Sequence, residues 1–244
     1  MTRQPSPTRE SGPPAIFAWL VHAFTASGAV LALLALLAVE EKRWTLALVW
    51  LAVALLVDGI DGSLARWARV KERAARVDGD TLDLVIDYLT YVFVPALFLW
   101  RAELIPPSLA PVLAAAILIS SLYVFARTDM KSDDGYFRGF PALWNLVAVY
   151  LFVLQPGPAI GAAVVIGLVV MTFAPIHFVH PFRVRDYGKW LPALAVLWGL
   201  ATCALLWPEL TPPARAVLAA ISVGSAAVLL GLGLVRSVRG ARPA

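Results

Sequence analysis

Apolar residues fall in long runs broken by short polar or Pro/Gly-rich stretches, at about 15–39, 44–64, 82–100, 107–126, 140–155, 159–176, 189–207 and 213–235. A helix needs roughly 20 apolar residues to cross a hydrocarbon layer of about 30 Å. The pattern therefore predicts an all-α fold, a polytopic transmembrane helical bundle with about eight spans. The fifth and sixth runs are short, and Gln155-Pro-Gly-Pro158 between them has the composition of a turn. The embedded domain is expected over 15–235, between a polar, Pro-rich N-terminus (1–14) and a basic tail (236–244). Met1–Pro14 lacks the short apolar core of a signal peptide, so no removal is expected.

Composition agrees. Of 244 residues 60% are hydrophobic and 15% charged, and the mean hydropathy is +0.78, which excludes an ordinary soluble domain of this size. The single cysteine, Cys203, excludes a disulfide framework and a sulfur metal site, and its apolar run makes it packing filler. Net charge of +4 requires no nucleic-acid partner, since anionic membrane lipids attract the same basic loops.

Charge also sets the sidedness. Assigning loops alternately puts sixteen of the twenty Lys and Arg residues on one face and only Lys42, Arg43, Arg101 and Arg215 on the other. The positive-inside rule then places both termini and the connection between spans two and three in the cytoplasm.

That connection carries the chemistry. It reads Asp58-Gly-Ile-Asp61-Gly62-Ser-Leu-Ala65-Arg66, twelve further residues, then Gly79-Asp80-Thr-Leu-Asp83-Leu-Val-Ile-Asp87. On a helix Asp58 and Asp61 lie about 60° apart, with Gly62 and Ala65 on the same face, and Gly79, Asp83 and Asp87 form one row. Two such helices side by side would bring four carboxylates to one point. Charges at membrane depth are costly and ask for a functional explanation. Left alone these would repel or take up protons, so a divalent cation, with room for two, is the natural partner. Oxygen-only ligands suit Mg²⁺ or Mn²⁺. The glycines allow a phosphate close to the backbone, and Arg66 offers a planar donor fork.

Asp-x-x-Asp-Gly-x-x-Ala-Arg, a spacer, then Gly-x-x-x-Asp-x-x-x-Asp resembles the signature of the CDP-alcohol phosphotransferases, membrane enzymes of phospholipid synthesis. The twelve-residue spacer is longer than the family's usual one. Asp87-Tyr-Leu-Thr-Tyr-Val-Phe-Val-Pro95, Phe137-Arg-Gly-Phe-Pro-Ala-Leu-Trp-Asn145 and His177-Phe-Val-His-Pro-Phe-Arg-Val-Arg185 resemble the bacterial phosphatidylcholine synthase branch. This resemblance implies condensation of CDP-diacylglycerol with choline, giving phosphatidylcholine and CMP, by an enzyme that is typically a homodimer. It also implies residue roles. Asp58, Asp61, Asp83 and Asp87 would hold two ions, with Asp87 also the general base. Asp58, Gly62, Ala65, Arg66 and Gly79 would bind the CDP-lipid, while Asp80 has no assigned role.

A quaternary ammonium forms no hydrogen bonds and is recognised by aromatic faces. Tyr88, Tyr91, Tyr136 and Trp144 are the candidates for choline, against the alternative of an interfacial aromatic belt. Serine, inositol or glycerol 3-phosphate remain alternative acceptors, and a divalent-cation transporter is a remote alternative from another class. The basic loop Trp67–Val77 reads as a membrane anchor, residues 127–135 as a solvated turn, and His177 with His180 as an interfacial loop. His22, inside the first span, is expected to bond between helices, and the last two spans show no chemistry.

Overall fold

The computed structural model describes residues 14–240. The sequence expectations for 1–13 and 241–244, including Arg3, Arg9 and Arg242, lie outside the described residues. Helices α1 (Ala15–Glu40) and α2 (Trp44–Ala68) form an antiparallel hairpin, followed by the single turn α3 (Val70–Arg73). Next, α4 (Gly79–Asp87) runs through a π-helical stretch, Tyr88–Phe93, into α5 (Val94–Arg101) as one continuous rod. The wide turn precedes Pro95, which has no N–H to return to the Tyr91 carbonyl and whose ring crowds it.

The remaining helices are α6 (Ala110–Ala126), α7 (Trp144–Leu154), α8 (Pro158–Phe173), α9 (Trp190–Ala204) and α10 (Pro212–Arg239). Each predicted apolar run is thus helical. Ala15–Glu40, Trp44–Ala68, Gly79–Arg101 and Pro212–Arg239 are long and apolar enough to cross a membrane. The other four are shorter, and α7, at 11 residues, spans only about 17 Å.

A two-stranded ribbon was not legible in the sequence. Strands β1 (Tyr136–Arg138) and β2 (His177–Val179) pair antiparallel, Tyr136 opposite Val179 and Arg138 opposite His177. It joins the two loops at the acidic end of the bundle and explains why α7 starts later, and α8 stops earlier, than their apolar runs suggest. Gly139 sits beside the ribbon at φ +79, where any side-chain carbon would meet the Thr172 carbonyl.

The main core lies among α1, α2, α5, α6 and α7, around Leu48, Leu51, Phe98, Leu99, Ile117 and Trp144. Alanines 32, 35 and 38 on α1 and Ala47 on α2 let that hairpin close tightly. Outside, the surface stays apolar: Leu56, Val112 and Ile119 are 64%, 68% and 68% exposed. An all-α bundle with such a surface is an integral membrane protein.

The α9–α10 hairpin is fastened by polar groups. Trp198 Nε1–H donates to Tyr150 Oη (2.6 Å), which bonds Ser222 Oγ (2.8 Å), itself 2.7 Å from Thr202 Oγ1. At the acidic end Arg236 Nε donates to Asp134 Oδ2 (2.6 Å), and the His177 backbone N–H donates to Ser237 Oγ (2.6 Å). Gly233 permits this contact, because a side-chain carbon there would stand 2.2 Å from the His177 carbonyl oxygen.

Candidate active site

The two aspartate segments are helical throughout. α2 continues to Ala68, so Asp58 and Asp61 lie in its last three turns and Arg66 in its final one. Asp78 starts α4 as its cap: Oδ1 accepts from the backbone N–H groups of Asp80 (3.0 Å) and Thr81 (3.3 Å), and Oδ2 from Thr81 Oγ1 (2.9 Å). The long spacer between them folds as α3, with Val70 and Ala74 buried beside Ala18 and Val21 of α1. Its apolar residues thus tie it to the bundle, beyond the anchor role expected of its charges.

Asp58, Asp83 and Asp87 each present a carboxylate oxygen within 4.8 Å of the others. Tyr91, one turn beyond Asp87, donates its hydroxyl hydrogen bond to Asp58 Oδ2. Asp87 Oδ1 is buried with no hydrogen-bond partner among the described residues. Asp61 stands outside this trio. Its carboxylate is buried and accepts from Thr25 Oγ1 of α1 at 2.8 Å. The structure therefore brings three of the four expected carboxylates to one point and holds the fourth against α1. A cluster of oxygen donors with an orphaned carboxylate oxygen fits a hard divalent cation, with Asp58, Asp83 and Asp87 as ligands.

Around the carboxylates, Gly62 and Ala65 are half-buried and Arg66 is exposed, its Nη2 donating to Ser63 Oγ at 3.0 Å. Arg66 Nη1 lies 3.6 Å from where a Gly62 side-chain carbon would stand. Gly79 opens α4 with its bare face against the His22 ring. Asp80 points away from the cluster, to an exposed ion pair with Lys71 at 2.7 Å.

The ribbon and its flanking loop also bear on the cluster. Lys131 is exposed at its surface, its ammonium 5.5 Å from the centre of the Phe137 ring, and its charge couples to Asp58, Asp83 and Asp87. Burial and the neighbouring Arg183 hold its pKa below the usual lysine range. His180 stacks on Phe137 at 5.3 Å, and burial, with Arg183 and Lys131 nearby, pushes its pKa down to about 4.

Of the four aromatics predicted to recognise choline, Tyr91 alone hydrogen-bonds an aspartate of the trio. Tyr88 donates to the Leu118 carbonyl (3.1 Å) and packs edge-on against Phe125. Tyr136 is buried with Val184 and Leu191 beneath Arg236. Trp144 is fully buried and donates Nε1–H to Ser121 Oγ at 2.9 Å.

Sequence reasoning missed Thr25 and Asp78 and gave His22 only a structural role. A signal existed: His22, Thr25 and Gly28 recur every three residues along one face of an otherwise apolar span.

A membrane bundle with a carboxylate cluster at one end defines a class, and comparison with known proteins names it. The sequence profile of the CDP-alcohol phosphatidyltransferase family matches residues 19–199, and the chain belongs to that family of transferases. Similar curated proteins include the phosphatidylcholine synthase of Pseudomonas aeruginosa, 45% identical over 222 residues, covering 91% of this chain and 92% of that one. The phosphatidylcholine synthase of Bradyrhizobium diazoefficiens is 47% identical over 184 residues (75% and 68%). That of Rhizobium meliloti is 44% identical over 199 residues (81% and 83%).

Proposed function

We propose that this protein condenses CDP-diacylglycerol with choline to form phosphatidylcholine and CMP. The observation that carries the reading is the convergence of Asp58, Asp83 and Asp87 in a chain so similar to phosphatidylcholine synthases. Asp58, Asp61, Asp83 and Asp87 would hold Mn²⁺ or Mg²⁺, two ions per site. Bound there, the metal supplies charge neutralisation at the pyrophosphate and at the CMP leaving group.

The chain's own groups do the rest. Asp87, with its free buried oxygen, takes the proton from the choline hydroxyl as that oxygen attacks the lipid-bearing phosphorus. The bond from phosphorus to the CMP oxygen breaks. Gly62, Ala65 and Gly79 leave room for the nucleotide, and Arg66 steadies a phosphate oxygen. Tyr91 is the aromatic best placed to face choline, and it orients Asp58 as well.

The acidic end faces the cytoplasm of a bacterial inner membrane, on the sided distribution of Lys and Arg. The embedded domain runs over 15–235, and the protein works as a homodimer within the lipid. One observation favours a second acceptor. Lys131 and Arg183 have no described carboxylate within ion-pair distance, which suits a phosphate-bearing alcohol such as glycerol 3-phosphate.

Membranes containing the protein, given CDP-diacylglycerol, Mn²⁺ and labelled choline, serine, inositol or glycerol 3-phosphate in parallel, decide the matter. Chelator-sensitive labelling of lipid from choline alone is expected. Labelling from another alcohol would replace choline while keeping the aspartate chemistry, and none from any would return the transporter reading.

A further inference from the structure

His22 sits two turns into α1, only 7% exposed, and its Nε2 has no hydrogen-bond partner among the described residues. Burying a polar atom without a partner is costly, so its presence asks for a reason. Its surroundings point to one. A side-chain carbon at position 79 would stand 3.2 Å from His22 Cε1 and 3.8 Å from Nδ1, so the ring fills the space that glycine leaves at the start of α4. One turn further along the same face of α1, Thr25 bonds Asp61; one turn further along α4 lies Asp83. His22 and Gly79 therefore form the layer next to the carboxylates.

We infer that His22 is a nucleotide-binding residue: its Nε2 hydrogen-bonds the cytidine diphosphate portion of the CDP-lipid. Gly79 is then bare for two partners at once, admitting the imidazole as well as the nucleotide. The inference rests on the CDP-lipid reading but is independent of which alcohol is the acceptor. An imidazole nitrogen can donate to a phosphate or base oxygen or accept from a ribose hydroxyl.

The test uses the full chain in detergent with Mn²⁺, titrated calorimetrically with CDP, alongside thermal unfolding and the KM of each substrate. His22→Leu is expected to weaken CDP binding about tenfold, to leave the choline KM unchanged, and to unfold at the same or a higher temperature, because an orphaned nitrogen is gone. His22→Gln, which keeps a hydrogen-bonding group, is expected to recover most of the affinity. Wild-type CDP affinity in His22→Leu would overturn the inference, as would a collapse of thermal stability in both variants, which marks a purely structural residue. Wild-type protein that binds no CDP at all would overturn the CDP-lipid reading together with it.

Discussion

Thr25 Oγ1 and Asp61 Oδ2 are 2.8 Å apart, a buried hydrogen bond joining α1 to α2 across 36 positions of sequence. It holds the Asp61 carboxylate against α1, beside the trio formed by Asp58, Asp83 and Asp87. Asp61 is thereby oriented before any ligand arrives, the kind of support that keeps a site geometry rigid.

Thr25→Val keeps the shape and removes the donor. We expect about 1–3 kcal/mol of lost stability and a fall in turnover of roughly tenfold or more, with Thr25→Ser restoring much of both. Equal activity in Thr25→Val and wild-type protein, assayed in matched membranes, would detach this bond from function.

Tyr91 carries two roles that substitution separates. Tyr91→Phe loses the hydrogen bond to Asp58 but keeps an aromatic face, so kcat should drop while the choline KM holds. Tyr91→Ala should raise the choline KM as well. Steady-state kinetics in both substrates measures the split, and identical effects of the two variants would remove the ring from choline recognition.

Asp61→Asn, Asp83→Asn and Asp87→Asn should each reduce turnover below detection while the protein remains folded in the membrane. The orphaned Asp87 oxygen makes the last the most severe, since no hydrogen-bond donor among the described residues reaches it. Near-normal turnover in any of the three would remove that residue from the proposed machinery.

His180 makes the fold acid-sensitive. Burial and the adjacent Arg183 and Lys131 hold its folded pKa at about 4, below the ordinary 6.5. The unfolded chain then binds the extra proton first, so this contribution to stability is complete above about pH 6.5 and is lost as pH falls towards 4. His180→Gln should flatten the fall in unfolding temperature between those values. An unchanged slope would place the acid sensitivity elsewhere.

The ion pair of Arg236 with Asp134 ties the last helix to the loop bearing Lys131, with side chains only 13% and 27% exposed. Arg236→Ala should cost about 1–3 kcal/mol and speed hydrogen exchange in residues 127–138. A reversed pair, Asp134→Arg with Arg236→Asp, should recover part of the loss. Exchange as slow as in wild type would show the loop to be held by the ribbon alone.

The last two apolar runs carry no chemistry, and α10 continues past the second of them to Arg239, where Arg236 and Ser237 make structural contacts. A helix end without reactive groups can still fix a distant loop, and the partners of those two contacts lie 102 and 60 residues away in sequence. The ribbon was hidden for a similar reason: three-residue strands carry no usable periodicity, and their pairing depends on two loops meeting.

By itself the sequence determined the helices, the membrane, the signature aspartates and the row formed by Gly79, Asp83 and Asp87, because apolar run length and a spacing of four are local properties. Only the tertiary structure decided that Asp61 leans on Thr25, that Gly79 receives His22 and that the charge of Lys131 reaches the aspartates. Those relationships depend on which helix faces meet, and that is set by close packing between distant residues, such as Gly28 against Ile86.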